Sequence, residues 1–272
     1  MRLDLHLHTA ASDGAWSPAE VVRGAAEGGL DVISITDHDT VAGVRPAQEV
    51  ARDLRIHVVP GIEVSSTHGR TDIHVLGYFV DPESDALVQH GAAAGSRRVD
   101  RMREMIERLE VQGIDVSYEA VLRAAGPDGV VIGRPHLARA LVEGGHATSV
   151  WDAFDRLIGD DSEAFVPTHL LEPTAAVELI LAAGGIPVWA HPPADLVDTL
   201  LPEMMEAGLR GLEVYRPRPK RAQVLRLESI CKTTGLLVSG GSDWHNPDRG
   251  GALGDFFVSA DEVEGLLHAG GL

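Results

Sequence analysis

Two histidines stand two residues apart near the start of the chain, in Leu3-Asp4-Leu5-His6-Leu7-His8. On an extended strand that spacing puts both imidazoles on one face, where they can chelate a single cation. Two hydrogen-bonded core histidines would read the same way, so the pair alone decides nothing. The rest of the chain adds to it. Asp13 follows in the loop Ala11-Ser12-Asp13-Gly14, and His38 lies in the run Thr36-Asp37-His38-Asp39. Glu63 ends Pro60-Gly61-Ile62-Glu63, and His74 sits inside the apolar stretch Asp72-Ile73-His74-Val75-Leu76. Further on come His191, in Trp189-Ala190-His191-Pro192, and the pair Asp243 and His245, in Gly241-Ser242-Asp243-Trp244-His245.

Ionisable groups at the ends of apolar runs are expensive to bury without partners, so their recurrence there calls for a common partner. Imidazoles and carboxylates with one lone thiol, Cys231, suit a catalytic cation rather than a thiolate zinc cage or an all-oxygen calcium site. We expect two or three divalent ions per chain, Mn2+ first, with Fe2+ or Zn2+ as alternatives. Two such ions about 3.5–4 Å apart activate a shared water and neutralise phosphoryl oxygens, which is the chemistry of phosphate-ester hydrolysis.

The elements that must position these residues alternate. Apolar runs at 2–7, 31–36, 56–63 and 72–80 are separated by helical patterns at 18–28 and 44–54, which predicts βα units and a parallel sheet. Ser17-Pro18 supplies a helix N-cap followed by an N1 proline. From 86 to about 157 the pattern is almost wholly helical, predicting helices near 86–112, 118–125, 135–143 and 150–157. The β/α beat then resumes, with strands at 186–190, 211–214, 236–239 and 255–258, and a last helix from Asp261. This predicts a barrel over residues 1–85 and 167–272 with a helical, substrate-capping subdomain inserted at 86–166. The ligand candidates fall at or near strand carboxyl ends, the face on which the βα loops of such a barrel open.

Bulk properties narrow the class. With 272 residues, 44% hydrophobic and 24% charged, the chain can bury a large core. A formal charge of −18 disfavours wrapping of DNA or RNA unless cations are concentrated locally. Cys231 excludes an internal disulfide and reads as a small buried apolar residue. Neither a signal-like segment nor a membrane-length apolar run is present, and the expected location is the cytoplasm.

The ordered set Leu5-His6-Leu7-His8-Thr9, Ser12-Asp13-Gly14, Thr36-Asp37-His38-Asp39, Gly61-Ile62-Glu63, His74, Ala190-His191-Pro192 and Gly241-Ser242-Asp243-Trp244-His245 resembles the PHP (polymerase and histidinol phosphatase) family over nearly the whole chain. The resemblance implies a distorted (β/α)7 TIM-like barrel with up to three metals. It implies one metal on His6, His8, Glu63 and Asp243, a second on Glu63, His74 and His191, and a third on Asp13, His38 and His245. Asp13, His191 and His245 would also be catalytic, with His191 or His245 assisting proton transfer.

The helical insertion resembles the branch that contains 3′,5′-nucleotide bisphosphate phosphatases and a 5′-to-3′ exoribonuclease. In Ile132-Gly133-Arg134-Pro135-His136, Arg134 and His136 are the implied phosphate-binding residues. The expected substrate is therefore a nucleotide carrying phosphates on both ribose positions. A short RNA 5′ end, AMP or another small phosphate ester, and a noncatalytic metal-stabilised module stand as alternatives. One stretch departs from the family: after Gly211-Leu212-Glu213-Val214-Tyr215, where a His-containing loop is expected, stands Arg216-Pro217-Arg218-Pro219-Lys220-Arg221. It reads either as a solvated loop and helix start or as a local anchor, with Arg216 as its substrate-binding residue, for a second phosphate or the next nucleotide. A second basic group, Arg97, Arg98, Arg101 and Arg103, alternates with acids on one predicted helix and reads as surface i,i+4 pairing.

Overall fold

The structure is a computed structural model that describes residues 1–69, 71–126, 131–168 and 171–272. In chain order the elements are β1 (Arg2–Leu7), α1 (Pro18–Glu27), β2 (Val32–Ile35), α2 (Val44–Ala51), β3 (His57–His68), β4 (Thr71–Tyr78), α3 (Asp85–Val111), α4 (Tyr118–Ala125), α5 (Arg134–Glu143) and α6 (Val150–Ala153). There follow α7 (Pro173–Ala182), β5 (Ile186–Trp189), α8 (Val197–Glu206), β6 (Gly211–Tyr215), α9 (Arg221–Thr234), β7 (Leu237–Gly240), α10 (Pro247–Gly250), β8 (Val258–Ser259) and α11 (Glu264–Ala269).

The strands form one sheet in the order β7-β6-β5-β4-β3-β2-β1-β8. It curls into a barrel because the chain after β7 returns to β1. The Trp244 backbone N–H donates to the His6 carbonyl at 3.3 Å, and the Trp244 carbonyl accepts from the His8 N–H at 2.9 Å. That approach needs a residue without Cβ at Gly241, where an added Cβ would lie 2.3 Å from the His6 Cβ. The distorted α/β barrel expected from the sequence is therefore present.

It is not wholly parallel, which corrects the reading of continuous βα units. β3 pairs antiparallel with β4, and β4 antiparallel with β5. The reason is length: β3 runs on to His68 and β4 starts at Thr71, too short a gap for the crossover a parallel pair needs. The predicted strand at 255–258 is shorter and shifted, to Val258–Ser259, and pairs antiparallel with β1.

Local sequence accounts for the flanking elements. Ser17 caps α1 and Glu20 reaches back to the Ser17 N–H at 2.8 Å, a reciprocal capping box with Pro18 at the first helical position. One core layer packs α7, α8 and α9 against β3 to β6, through Ile62, Val64, Ile180, Trp189, Met204 and Leu212. The segment after β4 builds a separate apolar cluster from Met102, Met105, Leu109, Leu137, Leu141 and Ile158, among others. Helix α3 joins the two, since Leu87 near its start belongs to the barrel layer. The helix predicted at 150–157 is α-helical only to Ala153 and continues as a π turn over Phe154–Ile158. Among the described residues no helix is long and apolar enough to cross a membrane.

Candidate metal centre

Glu63 is the hub. It is fully buried on β3, and its carboxylate faces five imidazoles. Oε1 lies 3.0 Å from both His74 Nδ1 and His191 Nε2. Oε2 lies 3.3 Å from His6 Nε2, 3.2 Å from His8 Nε2 and 3.1 Å from His38 Nδ1, yet makes no hydrogen bond. A buried anion oxygen aimed at three imidazoles and bonded to none is the geometry of a shared cation site.

His6 Nε2 and His8 Nε2 are 3.1 Å apart, and each is within 3.4 Å of Asp243 Oδ1 and Glu63 Oε2. An ion about 2.0–2.1 Å from four tetrahedral ligands separates them by roughly 3.3–3.4 Å, so these four donors fit it without rearrangement. Two further groups of donors converge in the same way, His8 with Asp13, His38 and His245, and His38 with Glu63 and His74. All nine sequence-predicted ligands are thus gathered in one cluster. The grouping differs from the expectation in two respects. His8 joins the Asp13 set, and His38 takes the place beside Glu63 and His74 expected of His191, which approaches Glu63 Oε1 alone.

The surrounding residues orient the donors. Glu213 on β6, also fully buried, accepts from His6 Nδ1 at 2.8 Å and from the His191 backbone N–H at 2.7 Å. A proton fixed on Nδ1 leaves the His6 Nε2 lone pair facing the cluster. His245 Nδ1 likewise donates to the Asp243 carbonyl at 2.9 Å, so its Nε2 faces Asp13 Oδ1 at 3.3 Å. Asp37 accepts from Thr9 N–H, Thr9 Oγ1 and Ser12 Oγ at 2.6–2.7 Å, pinning the loop that carries Asp13. His191 and Asp243 hold positive φ, 32° and 56°, a strained backbone that recurs at functional strand ends.

Electrostatics follow the packing. Burial would raise the Glu63 carboxyl, but His38, His74 and His6 hold it well below the usual carboxylate range. Burial alone would depress His245; the Asp13 and Asp243 carboxylates carry it up to about 10. The field that holds a proton there would equally hold a metal cation. His38, where burial outweighs the acids, falls to about 3 and so offers neutral nitrogen. Asp4 on β1 is pushed up to about 6 by burial, while its Oδ1 accepts from Ser242 N–H at 2.8 Å.

Beside the cluster lies a cavity of about 170 Å3 whose lining includes Asp13, His38 and His74 of the cluster together with Arg98, Arg101 and Arg134. Arg134 stacks over Phe154 and Phe165, 5.6 and 5.1 Å from their ring centres, and its guanidinium is steadied by Asp160 and by Asp72 at 3.6 Å. His136 is 1% exposed; its Nδ1 accepts from Gly133 N–H at 2.9 Å and sets the turn that presents Arg134.

Arg98 and Arg101 are not the surface residues expected from their spacing. Arg98 is buried against Asp39, with Nε 3.0 Å from Oδ2, and donates to Ser65 Oγ at 2.7 Å. Arg101 donates Nε to the Val166 carbonyl at 2.6 Å, while its buried Nη2 has no hydrogen-bond partner among the described residues. Arg216 lies beside the cluster, 3.7 Å from Glu213 and 3.9 Å from Asp243.

Comparison with known proteins agrees with this geometry. The PHP domain model matches residues 4–157. The 5′-3′ exoribonuclease of Haemophilus influenzae is 35% identical over 254 residues, covering 90% of each chain. The 3′,5′-nucleoside bisphosphate phosphatase of Chromobacterium violaceum is 31% identical over 255 residues, covering 92% of this chain and 89% of that one. A Bifidobacterium adolescentis crystal structure assigned as a metal-dependent phosphoesterase superposes with a TM-score of 0.90 at 32% identity, over 98% of this chain and 95% of that one. A converged cluster of imidazoles and carboxylates at one barrel mouth, in a chain so closely matched in sequence and shape, leads to one conclusion: the protein belongs to the PHP-domain family and is a metal-dependent phosphoesterase.

Proposed function

We propose that this chain hydrolyses the P–O3′ bond of 3′,5′-nucleotide bisphosphates, releasing inorganic phosphate and a nucleoside 5′-monophosphate. The observation that carries the reading is the 170 Å3 cavity, whose lining joins Arg101 and Arg134 to three cluster residues. One phosphate on the metals and a second on the arginines is the spacing problem a bisphosphate presents, and a relative of this chain bears that activity's name.

In this reading His6, His8, Glu63 and Asp243 hold one divalent ion, Mn2+ first, and the Asp13, His38, His74, His191 and His245 donors complete a second and third site. Bound ions supply water activation and charge neutralisation at phosphorus. The chain's own residues do the rest. Arg134, preorganised by Phe154 and Phe165, and Arg101, through its unpartnered Nη2, grip the 5′-phosphate with charge-assisted hydrogen bonds. His136 keeps Arg134 in place through the Gly133 turn. Cleavage adds water oxygen to phosphorus and returns a proton to the departing 3′-oxygen. His245 borders one open cleft and His191 another, so solvent water reaches the departing oxygen beside both ligands and supplies its proton. In the same reading the protein acts in the cytoplasm on small, diffusible nucleotides.

Replacing Arg134 by alanine tests the grip. Hydrogen bonds to a charged partner contribute about 1.5–3 kcal/mol, so kcat/KM for adenosine 3′,5′-bisphosphate is expected to fall roughly 10- to 100-fold, mostly through KM. Turnover of adenosine 3′-monophosphate, which has no 5′-phosphate, should be unchanged. Equal losses on both substrates would place Arg134 outside the 5′-phosphate site.

A further inference from the structure

The basic segment 216–221 takes no part in that grip. Two clefts meet on it: one of about 600 Å3, bordered by Arg218, Phe256, Asp243 and His245, and one of about 300 Å3, bordered by His191, Arg216, Arg218 and Lys220. Arg218 lines both, so the loop forms the wall between two openings onto the same cluster. Its backbone stands at φ 53°, a conformation that costs energy for any residue with a Cβ.

Charge distinguishes the loop further. In a chain of net −18, Arg218, Lys220 and Arg221 have no ion pair or side-chain hydrogen bond among the described residues. Two carboxylates share the larger cleft with Arg218: Asp243, in the cluster, and Asp255, whose Oδ2 accepts from Ala252 N–H at 2.9 Å. Arg218 lines one cleft with the Phe256 ring and the adjoining cleft with Lys220; cations on the backbone and a ring beneath a base are the means by which single-stranded nucleic acid is held.

The chemistry supplies the occupant. A 3′,5′-bisphosphate and a 5′-phosphorylated RNA present the same P–O3′ bond to the same cluster. In both, water oxygen bonds to phosphorus, the P–O3′ bond breaks and the 3′-oxygen takes a proton. In the second, another phosphate oxygen carries the next nucleotide, and the product is a 5′-phosphorylated chain one residue shorter. Only a place for that next nucleotide separates the two substrates.

We propose that Arg218, Lys220 and Phe256 form this place: a subsite for the phosphate and base that follow the scissile phosphate of single-stranded RNA. The proposal rests on the P–O3′ reading above, and it makes these three residues determinants of chain-length preference rather than of the chemical step.

The test compares the wild-type enzyme with an Arg218→Ala/Lys220→Ala double variant and, separately, Phe256→Leu, all loaded with Mn2+. A 5′-phosphorylated RNA trinucleotide and adenosine 3′,5′-bisphosphate are the two substrates. A phosphorothioate-linked, 3′-fluorescein trinucleotide reports binding by anisotropy without turnover. The double variant should bind the trinucleotide 10- to 100-fold more weakly while bisphosphate hydrolysis is unchanged, and Phe256→Leu should weaken it in the same selective way. The slope of log affinity against log salt should become shallower by about 1.4 in the double variant, since each cation withdrawn from a phosphate accounts for roughly 0.7. Equal trinucleotide binding by wild type and double variant would overturn the proposal, as would parallel losses on both substrates. Weakened trinucleotide binding in a protein that hydrolyses no bisphosphate would uphold the subsite and overturn the reading of the bond cleaved.

Discussion

Changing Glu63 to glutamine is expected to leave a folded protein that has lost at least about 1000-fold in kcat/KM, on the order of 4 kcal/mol of transition-state stabilisation. The substitution keeps the shape of the side chain and removes its charge. Among the described residues Glu63 is the one carboxylate that reaches five imidazoles from its two oxygens, so no neighbouring acid there can take its place. With the charge gone, the donors of the His6 site are two neutral nitrogens and one carboxylate, Asp243, and affinity for a divalent ion falls accordingly. Metal analysis after dialysis against Mn2+ should return fewer ions per chain than wild type, with the far-ultraviolet circular dichroism unchanged. Full metal content and wild-type turnover would remove Glu63 from the centre of the mechanism.

Arg98→Met is the largest expected stability change. It removes the cation from a buried Asp39 that keeps only the Ser65 N–H at 2.8 Å and His90 at 2.9 Å. Leaving one partner of a buried pair uncompensated costs about 3–5 kcal/mol, read as a lower urea midpoint. The double variant Arg98→Met/Asp39→Asn should recover most of that loss. A pH dependence accompanies it. Burial would raise the Asp39 carboxyl, but Arg98 and His90 hold it far below the ordinary value. The folded state therefore binds that proton less readily than the unfolded chain, whose aspartates titrate near 3.9. Stability from Asp39 is complete above that pH and drains away below it, so wild type should lose stability on acidification more steeply than the double variant. Equal acid slopes would mean that Asp39 is not the group responsible.

The cluster is legible in the sequence because its ligands sit at or near the ends of apolar runs or, for His74, inside one, where type and position both carry information. Glu213 escapes that reading, although its signal is of the same kind as that of His74: one charged residue inside a short apolar strand, Gly211–Tyr215. Its role depends on β6 standing near β1, a relation that local pattern does not encode. The arginines of α3 mislead for a related reason. Their i,i+4 acids are visible along the helix, but the partner of Arg98 is 59 positions earlier in the chain. The antiparallel β3–β4 pair has a sequence signal in the absence of any helical stretch between Glu63 and Asp72. Strand periodicity alone does not distinguish a hairpin from a crossover; the length of the connection does. Cys231 needs no correction: it is buried in the α9 layer as a small apolar residue.

The most direct test of the central claim is product analysis with adenosine 3′,5′-bisphosphate and Mn2+-loaded protein, using chromatography to separate the two possible monophosphates. The expected products are adenosine 5′-monophosphate and one equivalent of inorganic phosphate, with no turnover after chelation until a divalent ion is restored. Adenosine 3′-monophosphate as the product, or undiminished turnover in excess chelator, would contradict the claim.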